Sequence, residues 1–388
     1  MKRILTTLVF ALAVITASAQ YHYPNPKNPE MLYHAERHEP CRKEIILPQV
    51  KEYTVFKADL HTHTIFSDGL VHPKYRVLEA WQDGLDVYAV TDHIEYRPTE
   101  AIFYEYLKGY TDKEYLPGTK GVNPETQKID LNQSVKLSQD EALKYGLLII
   151  PGSEITRDGA KVGHFNALFT TDNNKIYDKD PAQAVRNAKA QGALVMHNHP
   201  GWKRENLNMT KTEEIVYGEG LIDGVEIMNG KEFYPGMIDR ANEKKIFMSA
   251  NTDIHSTTGS DFRLTGHDRP MTLILAKEKT LESIREALES QRTLAYAYHN
   301  VCGPEQLVKD FFAASVQVKR LPNGEVQLTN LTSVPYIIKI GNGSQFRLDQ
   351  FASVKAGASK KAKTIKVYVM NMWTGVDSHP TVELPIIQ

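Results

Sequence analysis

The sequence predicts an α/β fold on a largely parallel sheet, closed as a barrel, with a smaller all-β region after it. Two observations carry this. Between about 53 and 300, short apolar runs alternate with helix-like segments, the pattern of β-α-β units. Those apolar runs also tend to end in His, Asp or Glu. The mouth of a barrel gathers the C-terminal ends of many strands at one place, whereas an open sheet would spread them along a wide crest. Fewer than eight regular units are expected.

The first 19 residues combine Lys2-Arg3, an apolar stretch from Ile4 to about Ile15, and Ala17-Ser18-Ala19, a secretory signal with an A-x-A-type cleavage site. The apolar run is shorter than the roughly 20 residues that span a bilayer, and no cysteine follows the cleavage site to take a lipid. The expectation is an exported protein, most simply periplasmic, with no stable membrane insertion after cleavage. Residues 20–52, rich in Pro, His and charge, read as an irregular lead-in. Apolar runs at 86–91, 147–152, 165–169, 193–197, 224–228, 246–250 and 271–276 are candidate strands. Segments 72–83, 138–145, 181–191, 234–244 and 279–290 are candidate helices; that at 181 opens with Asp180-Pro181, a cap followed by Pro at the first helical position, and stops at Gly192. After about 305 come short strand-like runs at 316–319, 326–328, 335–340, 345–348, 364–370 and 381–387, divided by turns such as Gly341-Asn342-Gly343. This predicts a β-sandwich of about 80 residues whose simplest role is to buttress the barrel. The expected organisation is thus a signal at 1–19, a lead-in at 20–52, a metal-binding barrel at 53–304 and a sandwich at 305–388.

Composition excludes some classes of function. Charged residues are 24% and hydrophobic residues 41% of the 388-residue chain, an ordinary globular balance. A net charge of −1 argues against a general nucleic-acid binder. Cys41 and Cys302 are the two cysteines, and an oxidising compartment would permit them to pair. Neither lies near the histidine-rich segments, which disfavours a thiolate ligand.

The chemistry concentrates in Asp59-Leu60-His61-Thr62-His63-Thr64, where a strand-like run closes on two histidines two residues apart. In a strand i and i+2 share a face, so one cation could take both imidazoles. Two histidines in a strand are more often core residues, but here the pattern recurs. Thr91-Asp92-His93, Gly152-Ser153-Glu154, His197-Asn198-His199-Pro200 and Asp253-Ile254-His255 each follow an apolar run, and Asp68 and His164 lie close to others. His61, His63, Asp68, His93, Glu154, His164, His199, Asp253 and His255 are too many donors for one ion. With bridging carboxylates they would supply two or three divalent ions, and mixed nitrogen and oxygen donors suit Zn, Mn or Fe. Such a cluster lowers the pKa of bound water toward about 7 and neutralises phosphoryl oxygens during in-line attack. No glycine-rich phosphate loop is present, so metals would carry most of the charge neutralisation.

In this order the motifs resemble those of the PHP (polymerase and histidinol phosphatase) superfamily over roughly 55–300. The resemblance implies a distorted seven-stranded β/α barrel, (β/α)7, binding up to three metals. It implies that His61, His63, Glu154 and Asp253 hold the first ion. Glu154 would bridge to a second held by His164 and His199, and Asp68, His93 and His255 would hold the third. Glu154, His199 and Asp253 become the catalytic candidates, and His197, which departs from the family's single histidine before Pro, a residue supporting the ligands from behind or a substrate contact. It also implies a phosphoesterase, acting on monoesters or diesters by attack of metal-activated hydroxide. The export signal and the lack of a polymerase-sized remainder exclude the polymerase-associated branch, leaving a small phosphate ester as the expected substrate and no nucleic-acid polymer as partner.

Cations that could meet that phosphate are Arg157, Lys203, Arg204, Arg263 and Arg269, each following a metal motif, with Arg suited to bidentate binding. The tyrosine-rich segment 94–135 is either a lid over the mouth or a surface insertion. Two other functions stay open on the residues alone. One is a metal hydrolase of an amide or lactone, which calls for a lysine at a strand end that the apolar runs lack. The other is a non-enzymatic, metal-stabilised binding protein.

Overall fold

The computed structural model describes residues 22–34, 41–98 and 130–387. The chain divides into two compact units, Met1–Cys41 and Arg42–Gln388. In the first, His22–Asn25 and Asn28–His34 pair antiparallel around a turn at Pro26-Lys27, where the sequence predicted no regular structure. The signal segment and most of the tyrosine-rich stretch, with Tyr104, Tyr106, Tyr110 and Tyr115, lie outside the described residues. No described helix is long and apolar enough to cross a membrane.

The second unit starts with the histidine-rich half. Its strands are β1 (Thr54–Asp59), β2 (Val87–Val90), β3 (Leu148–Ile155), β4 (His164–Leu168), β5 (Leu194–Asn198), β6 (Gly224–Asn229) and β7 (Phe247–Asn251), followed by β8 (Met271–Ala276), β9 (Thr293–Ala297) and β10 (Asn300–Cys302). They line up as β7-β6-β5-β4-β3-β2-β1-β8-β9-β10. The sheet curls into a distorted barrel. Pairing is parallel from β1 to β3 and from β5 to β7, while β4 and β8 run antiparallel to both neighbours. The sequence predicted a largely parallel sheet without placing these two reversals. Only about eight residues separate β3 from β4, too few for a helical crossover, so the chain folds straight back.

Threonine hydroxyls close the curl. Thr293 Oγ1 accepts from the Met248 amide and donates to its carbonyl (3.2 and 2.7 Å), and Thr272 Oγ1 treats Ala250 in the same way (3.1 and 3.0 Å). Side chains thus satisfy the β7 edge that backbone pairing leaves open, which a buried edge requires.

Helices α1 (Pro73–Gln82), α2 (Gln133–Ala142), α3 (Pro181–Ala190), α4 (Lys211–Gly218), α5 (Gly236–Lys244) and α6 (Leu281–Glu289) belong to this half. The Asp180 carboxylate caps α3 by accepting from the Ala182 amide, as its sequence predicts. The predicted helix at 138–145 is shifted, since α2 starts five residues earlier, where Asp130 accepts from the Asn132 amide and from the Asn132 and Gln133 side chains. Helix α4, absent from the sequence reading, is held by a reciprocal cap between Thr210 and Glu213.

The C-terminal region begins with α7 (Glu305–Ser315), also unanticipated, and continues as β11 (Val316–Arg320), β12 (Val326–Asn330), β13 (Tyr336–Ile340), β14 (Phe346–Leu348), β15 (Ser353–Ala356), β16 (Thr364–Val369), β17 (Met372–Trp373) and β18 (Thr381–Ile387). Seven of these form one sheet, β14-β13-β16-β18-β11-β12-β15, with strict in-out alternation along β16 and β18. The eighth, β17, pairs in parallel with β10 of the barrel sheet. Phe311, Phe312, Val318, Leu328 and Tyr336 pack into the same apolar cluster as Val77, Leu85, Leu273 and Leu294. The two regions therefore share one core. Cys302 is a free, fully buried thiol in β10, so the disulfide to Cys41 is not formed.

Candidate metal centre

Past β1 the chain stays extended, held by the Asp253 amide donating to the His61 carbonyl (2.9 Å) and the His63 amide donating to the Ile254 carbonyl (3.1 Å). This lattice aims His61 and His63 into the barrel mouth, where their Nε2 atoms lie 3.1 Å apart. β2 delivers His93, β3 Glu154, β4 His164 from its first residue, β5 His199 and β7 both Asp253 and His255. His199 (φ 24°) and Asp253 (φ 52°) occupy the left-handed region, strain that surrounding bonds hold in place.

All nine residues read as ligands from the sequence converge. His63, Asp68, His93 and His255 form one donor set; His61 and Asp253 join His199 in a second; Glu154 joins His61 and His63 in a third and His164 and His199 in a fourth. Asp68 Oδ1 lies 3.2 Å from His93 Nε2 and 3.1 Å from His255 Nε2. Asp253 Oδ1 lies 3.2 and 3.0 Å from the Nε2 atoms of His61 and His63. Glu154 sits at the centre, with Oε2 at 2.7 Å from His93 Nδ1 and 3.5 Å from both His61 and His63, and Oε1 at 3.2 Å from His164 and 3.5 Å from His199.

The donors fit divalent ions. Asp68 Oδ1, Glu154 Oε2 and His164 Nδ1 are buried and, although they lie close to facing groups of the cluster, make no well-aligned hydrogen bond among the described residues, a need that an ion or ordered water would meet. The His61 and His63 nitrogens face each other and two carboxylates, an arrangement that a cation between them satisfies.

Fixed second contacts orient the ligands, as metal-binding histidines require. The buried Glu226 carboxylate faces His61 Nδ1 (3.0 Å) and accepts from the His199 amide (2.7 Å) and from Asn229 and Asn251. Asp92 accepts from the Thr64 amide and from the Thr64 and Ser67 hydroxyls, shaping the turn to Asp68. Asp59, ion-paired with the buried Arg269 at 2.5 Å, accepts from the His61 and Thr252 amides. Sequence reasoning missed these roles. A charge inside the apolar run 224–228 was the available signal for Glu226.

Charges within the cluster act strongly on one another. Burial opposes the imidazolium of His93, yet Glu154 and Asp68 raise its pKa to about 10. Burial likewise opposes charge on His61, and Asp253, Glu226 and Glu154 outweigh it. Burial and the neighbouring His93 and His255 lower His63 to about 4. For Asp68, Asp253 and Glu154 the facing histidines overcome burial and hold the carboxyls well below their usual range. Near pH 7 the apo site therefore holds protons that ligation must displace. Metal binding is expected to release protons and to tighten as pH rises from 6 to 8, which calorimetry in buffers of different ionisation enthalpy would read. Proton-neutral binding would contradict it.

A cavity of about 790 Å³ opens over the cluster, lined by Asp68, Glu154, His164, His255 and, farther out, Tyr96, Arg157, Trp202 and Lys203. Of the expected phosphate-facing cations, Arg157 and Lys203 reach this wall. Arg204 does not: it pairs with Glu213 (2.6 and 3.0 Å) and donates to the Gly159 carbonyl (2.9 Å). Arg263 pairs with Asp83 at 2.9 Å, away from the cavity. Arg269 is engaged by Asp59. His197 faces the helix layer, 2.9 Å from Glu213 Oε1 and 3.1 Å from the Tyr217 hydroxyl, rather than the cavity.

A two-domain protein from Bacteroides vulgatus, containing a predicted PHP-like metal-dependent phosphoesterase, is 32% identical, with 90% of this chain and 99% of that one covered and a TM-score of 0.76. The chain belongs to the PHP-like family. Its PHP-like half is the curled sheet bearing the histidines, and the β-rich second region is shared with that relative, since the match spans both. A metal-dependent phosphoesterase assignment from Bifidobacterium adolescentis (15% identity, 52% and 88% covered, TM-score 0.34) and an amidohydrolase from Chromobacterium violaceum with bound sulfate and no metal (14%, 53% and 89%, TM-score 0.35) are too distant to bear on this PHP-like protein. No protein-family model and no curated sequence matches.

Proposed function

We propose that this protein is an exported, metal-dependent phosphoesterase that hydrolyses small phosphate esters at a site for two or three divalent first-row ions. The observation that carries the reading is one buried carboxylate, Glu154, shared between two of four adjoining donor sets, which in all use nine side chains. His61, His63, Glu154 and Asp253 would hold one ion, Glu154 with His164 and His199 a second, and Asp68, His93 and His255 the third. Bound there, the ions would lower the pKa of water and neutralise charge on the phosphoryl oxygens. The chain's own part is to fix donor geometry through Glu226, Asp92 and Asp59, and to keep the floor of the mouth dry. His61, His63 and Glu154 are fully buried, whereas Asp68, Asp253 and His255 are partly open to the cavity. The signal-like first 19 residues support export, where such an enzyme would meet extracellular esters.

Elemental analysis of purified protein, coupled to hydrolysis of p-nitrophenyl phosphate and bis-p-nitrophenyl phosphate before and after chelation, tests the proposal. Two or three metals per chain are expected, with turnover lost to chelator and restored by metal. Bound metal without turnover of either ester would instead favour another hydrolysed bond or a binding role.

A further inference from the structure

Two cations stand on the cavity wall, and their situations differ. Arg157 is committed: it pairs with Glu95, donates to the carbonyls of Thr156 (3.0 Å) and Asp178 (2.5 Å), and lies 5.5 Å from the centre of the Tyr177 ring. Lys203 has no carboxylate partner among the described residues. Its ammonium rests 4.0 Å from the centre of the Trp202 ring.

That position is built rather than incidental. Lys203 holds a left-handed backbone (φ 56°), unfavourable for a residue with a side chain. It follows a turn in which the Trp202 amide donates to the His199 carbonyl at 2.9 Å and the Arg204 amide to the Gly201 carbonyl at 3.1 Å. Arg204 then locks onto Glu213 and Gly159. The indole stands 5.3 Å from the His199 ring and 5.4 Å from the His164 ring, and it packs so closely on Gly159 that a Cβ there would lie 2.6 Å from it. The six residues His199 to Arg204 thus supply a candidate ligand, a wall, a cation and a clamp.

We infer that Lys203 makes the site selective for phosphate monoesters over diesters, by pairing with the second negative charge that the monoester phosphate alone carries. This rests on the phosphoesterase reading and narrows its substrate class. A monoester dianion presents three terminal oxygens, one more than a diester, and the ammonium on the wall would neutralise that additional charge. A diester carries an organic group in that place, against which a hydrated ammonium has nothing to pair. The cavity, within the range of roughly 300–1,000 Å³ usual for small-molecule sites, accommodates a phosphate ester with its organic part.

The test compares the metal-loaded full chain with Lys203→Met and Lys203→Arg. It reads kcat and KM on p-nitrophenyl phosphate and bis-p-nitrophenyl phosphate, and calorimetric affinity for inorganic phosphate and dimethyl phosphate. Lys203→Met should lower monoester kcat/KM by about 10–100-fold, the range of one charged hydrogen bond, chiefly through KM. The loss should be at least about ten times larger than on the diester, with inorganic phosphate weakened in parallel and Lys203→Arg restoring most of both. Equal losses on the two esters, or unchanged phosphate affinity, would overturn the role of Lys203. Phosphate binding that depends on Lys203, with no turnover of either ester, would overturn the phosphoesterase reading and support the charge-pairing role.

Discussion

Glu154→Gln should leave the protein folded, strip metal from its site and reduce turnover by well over 100-fold. Loss of a residue that only orients a ligand weakens metal sites by about 10–100-fold, and Glu154 itself faces five histidines from a fully buried position. Gln has the same shape, so packing against Asn198, which donates to Oε1 at 2.9 Å, survives. With the Gln carbonyl kept toward Asn198, its NH2 would point at His61, His63 and His93, where a cation belongs. Elemental analysis and kcat/KM on either ester give the readout. Metal content and turnover close to wild type would remove Glu154 from the centre of the site.

The second large effect is on stability. Arg269 and Asp59 are both fully buried, and Arg269 also reaches Asp83 at 3.2 Å. Arg269→Met leaves the Asp59 carboxylate buried with amide and hydroxyl donors but no counter-ion. Removing one partner of such a pair costs about 3–5 kcal/mol, which should lower the melting temperature of a chain this size by about 4–7 °C. Because Asp59 also accepts from the His61 and Thr252 amides, metal affinity should weaken as well. Thermal unfolding of the chelated protein isolates the first effect from the second. A melting temperature unchanged within about 2 °C would show that water reaches Asp59 and that the pair is not sealed.

What the sequence made legible follows from periodicity. His61 and His63 share a face because strand side chains alternate, and apolar runs mark where β2, β3, β5 and β7 stop, so His93, Glu154, His199 and Asp253 were bound to sit near one another once those strands lay side by side. Features set by packing were harder to read. Arg204 and Lys203 are neighbours with the same charge, yet Arg204 is drawn to Glu213 on α4, an eight-residue helix whose exposed polar residues hid its pattern. Glu226 was overlooked because its run otherwise reads as plain core. The reversal of β4 could have been inferred from the short connection before it, and α7 from the apolar spacing of Val308, Phe311 and Phe312.

The pairing of β10 with β17, and the apolar cluster running from Leu85 and Leu273 into Phe312 and Tyr336, bear on whether the two regions can be separated. A module joined by a linker can be exchanged, lost or duplicated without disturbing its neighbour. Here a cut near 304 would bare the Leu294 and Val301 side chains and leave a strand edge without its mate. The histidine-bearing half and its β-rich companion therefore each complete a surface of the other, and neither is built to stand alone.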